Sequence, residues 1–317
     1  MFKFVLQRLI QSIPSMLGVT IIGFFLVHIV PGGPAQAMLG PKATPLRIEQ
    51  INREFGLNKP LPVQYIHWLG QLLQGNLGVS YYYNESVWSL IMTNMPRTLS
   101  IVGIGIVIAH VVSILLGSIQ AYFHDTKFDY VMTALTYFFY SMPYFWLGII
   151  IILVFSINLG WFPSGGLSNP LNPNPGFGSW VAHTTLPVLT LVLGTVAGWG
   201  RYMRTSMTEH LVQDYVRTAR AKGLKESVVV LKHALRNSVL PLITLLGFAL
   251  PSLFSGVLLI EVIFNYPGMG LLFWDAANQR DYPIIMGVVV ITGFLTILGN
   301  LLADLLYGLV DPRIQYN

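Results

Sequence analysis

From Tyr130 to Gly200 the sequence contains no aspartate, glutamate, lysine or arginine. Water cannot solvate so long a charge-free stretch unless most of it is hidden. Two apolar runs lie inside it, Val131–Ile157 and Leu186–Trp199, and the turn-rich segment Trp161–Pro175, with Pro163, Pro170, Pro173 and Pro175, separates them. A helix crosses the hydrocarbon core of a bilayer with about 20 apolar residues. The stretch therefore reads as two spans and a loop, the second span short unless it continues through Arg201 to Met203. The same criterion selects Leu9–Val30, Leu99–Tyr122, Val239–Phe264 and Ile284–Val310. Composition agrees, because 54% of the 317 residues are hydrophobic and 10% charged, against roughly a quarter charged in a soluble domain. The expectation is an all-α integral membrane protein of about six transmembrane helices.

The formal net charge of +5 is concentrated in one segment rather than spread over an aromatic-rich face, so it argues for topology and not for nucleic acid. With the N-terminus inside, Lys3, Arg8, Lys127, Arg201, Arg204, Arg217, Arg220, Lys222, Lys225, Lys232, Arg236 and Arg313 lie on the inner side. Lys42, Arg47, Arg53, Lys59, Arg97 and Arg280 lie on the outer side. The bias favours both termini inside. Most of the outer cations sit in one long loop, where the rule has little force. The organisation is then an N-terminus and first span at 1–30, an outer loop at 31–97, a core of five spans at 98–310 containing an inner loop at 201–236, and an inner C-terminus at 311–317. Ala35-Gln36-Ala37 resembles a signal-peptidase site, but the run before it exceeds a secretory apolar core, so the first helix is expected to remain. Cysteine is absent, which excludes thiolate metal sites and cysteine nucleophiles.

In the outer loop, Thr44-Pro45 suits the start of a helix with Ile48, Ile51 and Phe55 on one face. A second amphipathic stretch, Val63–Leu73, carries Ile66, Leu69 and Leu73. Such helices either cap the spans or dock a partner. Pro143 and Pro251 are expected to kink the third and fifth spans, and Gly194 with Gly198 permits close helix approach. The inner segment Arg201–Arg236 is too regular for a tether. Ser206-Met-Thr-Glu209 has the pattern of a capping box. Leu211, Val212, Tyr215, Val216 and Ala219 share a helical face, and Gly223 stands where a helix would stop. A second helix, Glu226–Asn237, leads into the fifth span. This helix–glycine–helix either lies on anionic lipid or docks another protein.

The run Asp214-Tyr-Val-Arg-Thr-Ala-Arg-Ala-Lys-Gly-Leu224, followed by His233-Ala-Leu-Arg-Asn-Ser-Val-Leu-Pro241, resembles the coupling loop of ATP-binding-cassette importer permeases, and more narrowly their dipeptide/oligopeptide/nickel subgroup. Ala219 and Gly223 match the family's second alanine and its glycine. Arg217 and Thr218 stand where the wider family has glutamate and its first alanine, departures associated with the peptide-type subgroup. Phe55–Tyr65, Trp68-Leu69 and Gly75–Ser80 are similar to the outer loop of that subgroup's first permease. Glu261–Gly270, Arg280–Pro283, Asp304, Tyr307 and Asp311–Ile314 resemble its later signatures. The resemblance implies a type I importer permease fold in a bacterial cytoplasmic membrane. Its cytoplasmic coupling helix would hold Arg217, Thr218, Ala219, Arg220, Lys222 and Gly223 against an ATPase. It also implies a second similar permease, two ATP-binding subunits carrying ATP and magnesium, and an extracytoplasmic solute-binding protein that delivers peptide.

No GxxxxGK[ST] loop occurs in the chain, so it is not expected to bind ATP by that route or to be an enzyme alone. Glu261 and Asp304 sit near predicted span ends, as helix caps, partners of an arginine, or proton relays. His28 and His110 lack a second ligand at metal spacing and read as packed histidines. The aromatics around Pro143, with Tyr140, Tyr144 and Trp146 foremost, either line a pathway or pack. Nickel chelates and glutathione-like peptides remain open as cargo, and a gradient-driven transporter or a membrane scaffold as other classes.

Overall fold

The computed structural model describes residues 2–29, 33–40, 43–54, 56–168, 176–249 and 257–310, with backbone only at 2–5, 9, 26, 54 and 302–310. The described residues are overwhelmingly helical. In chain order they form α1 (Phe2–Ile29), α2 (Gly33–Leu39), α3 (Pro45–Glu54), α4 (Leu61–Leu73), α5 (Val87–Tyr122), α6 (Lys127–Ser141) and α7 (Tyr144–Asn158). There follow α8 (Phe177–Leu211), α9 (Asp214–Ala221), α10 (Glu226–Ser238), α11 (Leu240–Ala249), α12 (Leu258–Ile263), α13 (Met269–Gln279) and α14 (Tyr282–Val310). The helices α1, α5, α8 and α14 are long and apolar enough to cross a membrane unbroken. Two bent pairs, α6 with α7 and α10 with α11, raise the total to as many as six when each pair is counted as one span.

The bend between α6 and α7 is 106°, far sharper than an ordinary proline kink. Pro143 cannot supply an N–H to the preceding turn, and it forces Met142 out of helical geometry, to φ −80° and ψ 127°. The pair still crosses as one span, because its contacts climb α8 in step. Asp129 meets Arg204, Tyr137 and Tyr140 meet Arg201, Tyr140 also meets Gly198, Tyr144 meets Gly194, and Gly148 meets Thr190.

The fourth span is not short. It runs for 35 residues, and its weaker hydropathy has a physical reason: half of its most apolar window is buried in protein rather than in lipid. It is the central helix, and α5 lies along most of its length. A Cβ at Gly105 would sit 2.6 Å from Leu191 Cδ2, and one at Gly117 would sit 2.6 Å from Met203 Cβ and 2.7 Å from the Gly200 carbonyl. Only hydrogen at those positions allows so close an approach. The length of α8 also overturns the expected capping box. Ser206 and Met207 are buried within the helix, and the chain breaks only at Val212–Gln213. Hydrophobic burial outweighs a local capping pattern here.

On the outer side Thr44 caps α3 as expected, its Oγ1 accepting from the Arg47 N–H at 3.4 Å. Ile51 is buried, while Phe55 lies outside the described residues. The expected inward face of α4 is corrected: Ile66 is 68% and Leu73 81% exposed. The helix instead docks on α1 through Tyr65, Trp68 and Gln64. Tyr65 and Thr20 hydroxyls are 2.9 Å apart, and Gln64 Oε1 lies 3.2 Å from His28 Nε2. Edge-on and tilted ring contacts with Phe24 and these polar contacts decide the register. His28 is thus a fastening residue. Pro251 and Asp311–Ile314 lie outside the described residues, as do the side chains of Asp304 and Tyr307.

Candidate functional site: an inner elbow and an aromatic face on the central span

The inner elbow begins where α8 ends. Gln213 is extended at φ −70° and ψ 154°, and α9 starts at Asp214, whose carboxylate suits the positive end of the helix dipole. Val216 and Ala219 are buried against Ala121, Met203, Met207, Val229, Ala234 and Leu242. This apolar knot joins α9 and α10 to the inner ends of α5 and α8. Gly223, at φ +73°, accepts the left-handed turn that ends α9, its N–H reaching the Arg220 carbonyl at 2.9 Å. The second helix starts at Glu226 and includes a wider π-helical stretch at Val229–Ala234.

The residues selected from sequence divide into two groups. Arg220 bridges the elbow at its surface: its guanidinium donates to Glu226 at 2.8 and 3.2 Å and to the Leu211 carbonyl at 3.3 Å. It ties the end of α8 to the start of α10. Ala219 faces the protein's own core. Arg217, Thr218 and Lys222 face out with Gly223. Arg217 is 70% exposed and only 3.6 Å from an even more exposed Asp214, an arrangement that contributes little to stability. The exposed surface of the elbow includes Tyr215, Arg217, Thr218, Lys222, Gly223 and Leu224, with Arg220 and Lys225 beside them.

The second region is the open side of α6–α7 against α8. The Arg201 guanidinium carbon sits 4.9 Å from the Tyr137 ring centre and 4.5 Å from that of Tyr140, within cation–π range of both. Tyr140 and Tyr144 rest over Gly198 and Gly194, and the Tyr144 hydroxyl lies 3.4 Å from Thr195 Oγ1. Tyr137 and Tyr140 remain more than half exposed. Trp146 is exposed but stands between Tyr144 and Gly148, which both face α8, so its ring leaves from the other side of α7.

Sequence reasoning missed Asp129. Its buried carboxylate receives two parallel bonds from Arg204, at 2.7 and 2.6 Å, the strong bidentate geometry. The signal was available, because Asp129 and Arg204 bracket the charge-free stretch from Tyr130 to Gly200. Two antiparallel spans return both ends of that stretch to the same side of the membrane, where opposite charges pair.

At the outer end two buried carboxylates fasten the helices. Glu261 accepts from Thr98 Oγ1 at 2.6 Å and from the Gly270 and Leu271 N–H groups at 2.6 and 3.1 Å. It thereby caps α13 from α12 and holds both to α5, which answers the sequence question in favour of a helix cap. Asp281 accepts from Ser80 Oγ at 2.5 Å and from the Tyr82 N–H at 3.1 Å, anchoring the outer loop at the start of α14. Burial, with Asp281 beside it, pushes the Tyr81 hydroxyl up to about 12. His110 meets Trp199 edge-on at 5.9 Å and gathers no metal ligand among the described residues.

A bundle of broken and unbroken spans with a basic elbow on one side defines a multi-span membrane protein. Residues 113–316 match the family described as binding-protein-dependent transport system inner membrane component, and residues 1–102 match its N-terminal region. The chain belongs to that family. It is 43% identical to the oligopeptide transport system permease protein AppB of Bacillus subtilis, with both chains covered in full. It is 39% identical to the di/tripeptide transport system permease protein DppB of Pseudomonas aeruginosa, over 100% of this chain and 99% of that one. It is 38% identical to the dipeptide permease DppB of Escherichia coli K12, with the same coverage. The inward-facing MetNI methionine ABC transporter gives a TM-score of 0.52 at 15% identity, covering 69% of this chain and 97% of that one, a likeness of fold.

Proposed function

We propose that this chain is one permease subunit of an ATP-binding-cassette importer that carries oligopeptides or dipeptides across a bacterial cytoplasmic membrane. The observation that carries the reading is full-length similarity to permeases named for oligopeptide and dipeptide transport. The rigid elbow supplies the mechanical part. It would sit in a cleft of a separate ATPase, with Arg217, Thr218 and Lys222 offering polar contacts and Gly223 the exposed turn. Arg220 and Ala219 hold the elbow itself, one by clamping α10 to α8 and the other by packing α9 on the spans. ATP and magnesium would be held by two ATP-binding partners; this chain carries no GxxxxGK[ST] phosphate loop. A second, similar permease completes the pathway, and an extracytoplasmic binding protein delivers cargo. Tyr140 and Tyr144 line this chain's side of that pathway, where aromatic faces give sequence-tolerant contact.

Uptake in proteoliposomes containing the complete complex tests the reading. ATP inside the compartment facing the elbow drives peptide transport, and a protonophore leaves it intact. Gly223→Pro abolishes uptake while the chain stays in the membrane, because proline holds φ near −65° where the turn needs +73°. Full transport by this variant, or uptake that needs only a proton gradient, refutes the coupling role.

A further inference from the structure

The geometry points to Arg201 as a carboxylate-recognition residue on the transport pathway, engaging the C-terminal carboxylate of a passing peptide. This inference rests on the peptide-importer reading above. Three observations carry it. The guanidinium is held between Tyr137 and Tyr140, and no carboxylate among the described residues pairs with it, whereas Arg204, Arg217 and Arg220 each have one. An arginine at a span end without an acidic partner is a candidate for binding an anionic group. The second observation is placement. Arg201 lies on α8 one turn from Gly198, and its guanidinium meets Tyr137 as well as Tyr140, the ring that covers Gly198. The third is the surroundings. Tyr137, Tyr140 and Tyr144 present a stripe of hydroxyl-bearing rings on one open side of the bundle, able to give a peptide backbone both aromatic faces and hydrogen bonds. Two aromatic rings contact the guanidinium, whose planar fork suits a bidentate carboxylate.

Uptake of one peptide in two forms, with a free C-terminal carboxylate and with a C-terminal amide, tests the inference in the reconstituted complex, each form delivered by preloaded binding protein. Arg201→Gln is expected to lower uptake of the free acid by about tenfold, the scale of one charge-assisted hydrogen bond, and that of the amide by less than about twofold. Arg201→Lys keeps the charge without the fork and falls between the two. Amide uptake also reports that each variant assembles. Equal losses for both forms, or no loss for either, overturn the inference and leave the importer reading standing. A loss that follows the anionic lipid content of the vesicles, rather than the peptide terminus, assigns Arg201 to a lipid phosphate and likewise overturns it. Absence of ATP-driven uptake of either form by the unaltered complex overturns the importer reading, and the inference with it.

Discussion

Replacing Glu261 by alanine should release α13 from the rest of the outer end. The Glu261 side chain is fully buried, and its two oxygens accept from Thr98 Oγ1, the Gly270 N–H and the Leu271 N–H. Alanine strands all three donors. A buried donor left unpaired costs about 1–3 kcal/mol, so even the lower figure for each sums to about 3 kcal/mol. Thr98 Oγ1 also accepts from the Met269 N–H at 2.8 Å, so the loss spreads along the first turn of α13. Glu261→Gln keeps one acceptor oxygen for the two amides and turns its NH₂ toward Thr98, and about 1 kcal/mol is the expected cost. Hydrogen exchange of the segment 268–279 in the detergent-solubilised complex reads this directly, because local opening sets its rate. Exchange should rise about a hundredfold in Glu261→Ala and less than about tenfold in Glu261→Gln. Equal exchange in Glu261→Ala and the unaltered protein would show that Glu261 does not hold the helix, and the capping argument would fail.

Arg204→Met strands the buried Asp129 carboxylate and should destabilise the complex by about 3–5 kcal/mol, while adding Asp129→Leu should recover much of that; thermal melting of the single and double variants checks the order. Gly117→Ala should cost about 1–3 kcal/mol by overpacking, because its Cβ meets Met203 and the Gly200 carbonyl. Gly18→Ala, with open space around it, should melt within about 0.5 kcal/mol of the unaltered chain. Arg220→Ala should change melting by less than about 1 kcal/mol, since the pair with Glu226 is exposed, yet it should lower transport per ATP hydrolysed by loosening the elbow; unchanged coupling would remove Arg220 from that role.

Much of this architecture was legible because the bilayer restricts a chain so severely. The charge-free stretch required two spans, and the left-handed turn at Gly223 followed from a glycine standing just beyond an amphipathic run. What escaped the sequence depended on neighbours distant in the chain. Ser206–Glu209 has the letters of a helix start, but Met203 and Met207 are fully buried in the inner cluster, and that burial carries α8 straight through the pattern. Ile66 and Leu73 look like the packing face of α4 by periodicity, yet Phe24 and Thr20 of α1 select Tyr65 and Trp68 instead. Pro143 announced a break and not its size, since a bend of 106° needs the glycine positions on α8 to receive Tyr140 and Tyr144 on either side of it. Arg220 was legible as a basic residue of the inner segment, but its bridging role depends on Glu226, which lies beyond the turn.

The central helix explains how the two ends can act as one device. α8 is continuous from the outer loop, where His183 Nδ1 lies 2.9 Å from the Gly165 carbonyl, to Leu211, whose carbonyl accepts from Arg220 of the elbow. A helix of 35 residues extends about 50 Å at 1.5 Å per residue, so it passes through the whole bilayer and beyond it. Along that length α5 is held against it at Gly105 and Gly117 with no room for another methyl group. Close-packed interiors transmit displacement instead of absorbing it. A force applied to α9 reaches Met203 and Met207 through Val216 and Ala219, and so moves α8 and α5 together. The sharp break at Pro143 denies α6 and α7 that continuity. The Asp129–Arg204 pair ties α6 to α8, Tyr140 and Tyr144 rest on Gly198 and Gly194 on either side of the bend, and Gly148 meets Thr190 beyond it, so the bent pair follows α8 contact by contact although its own backbone ladder is interrupted.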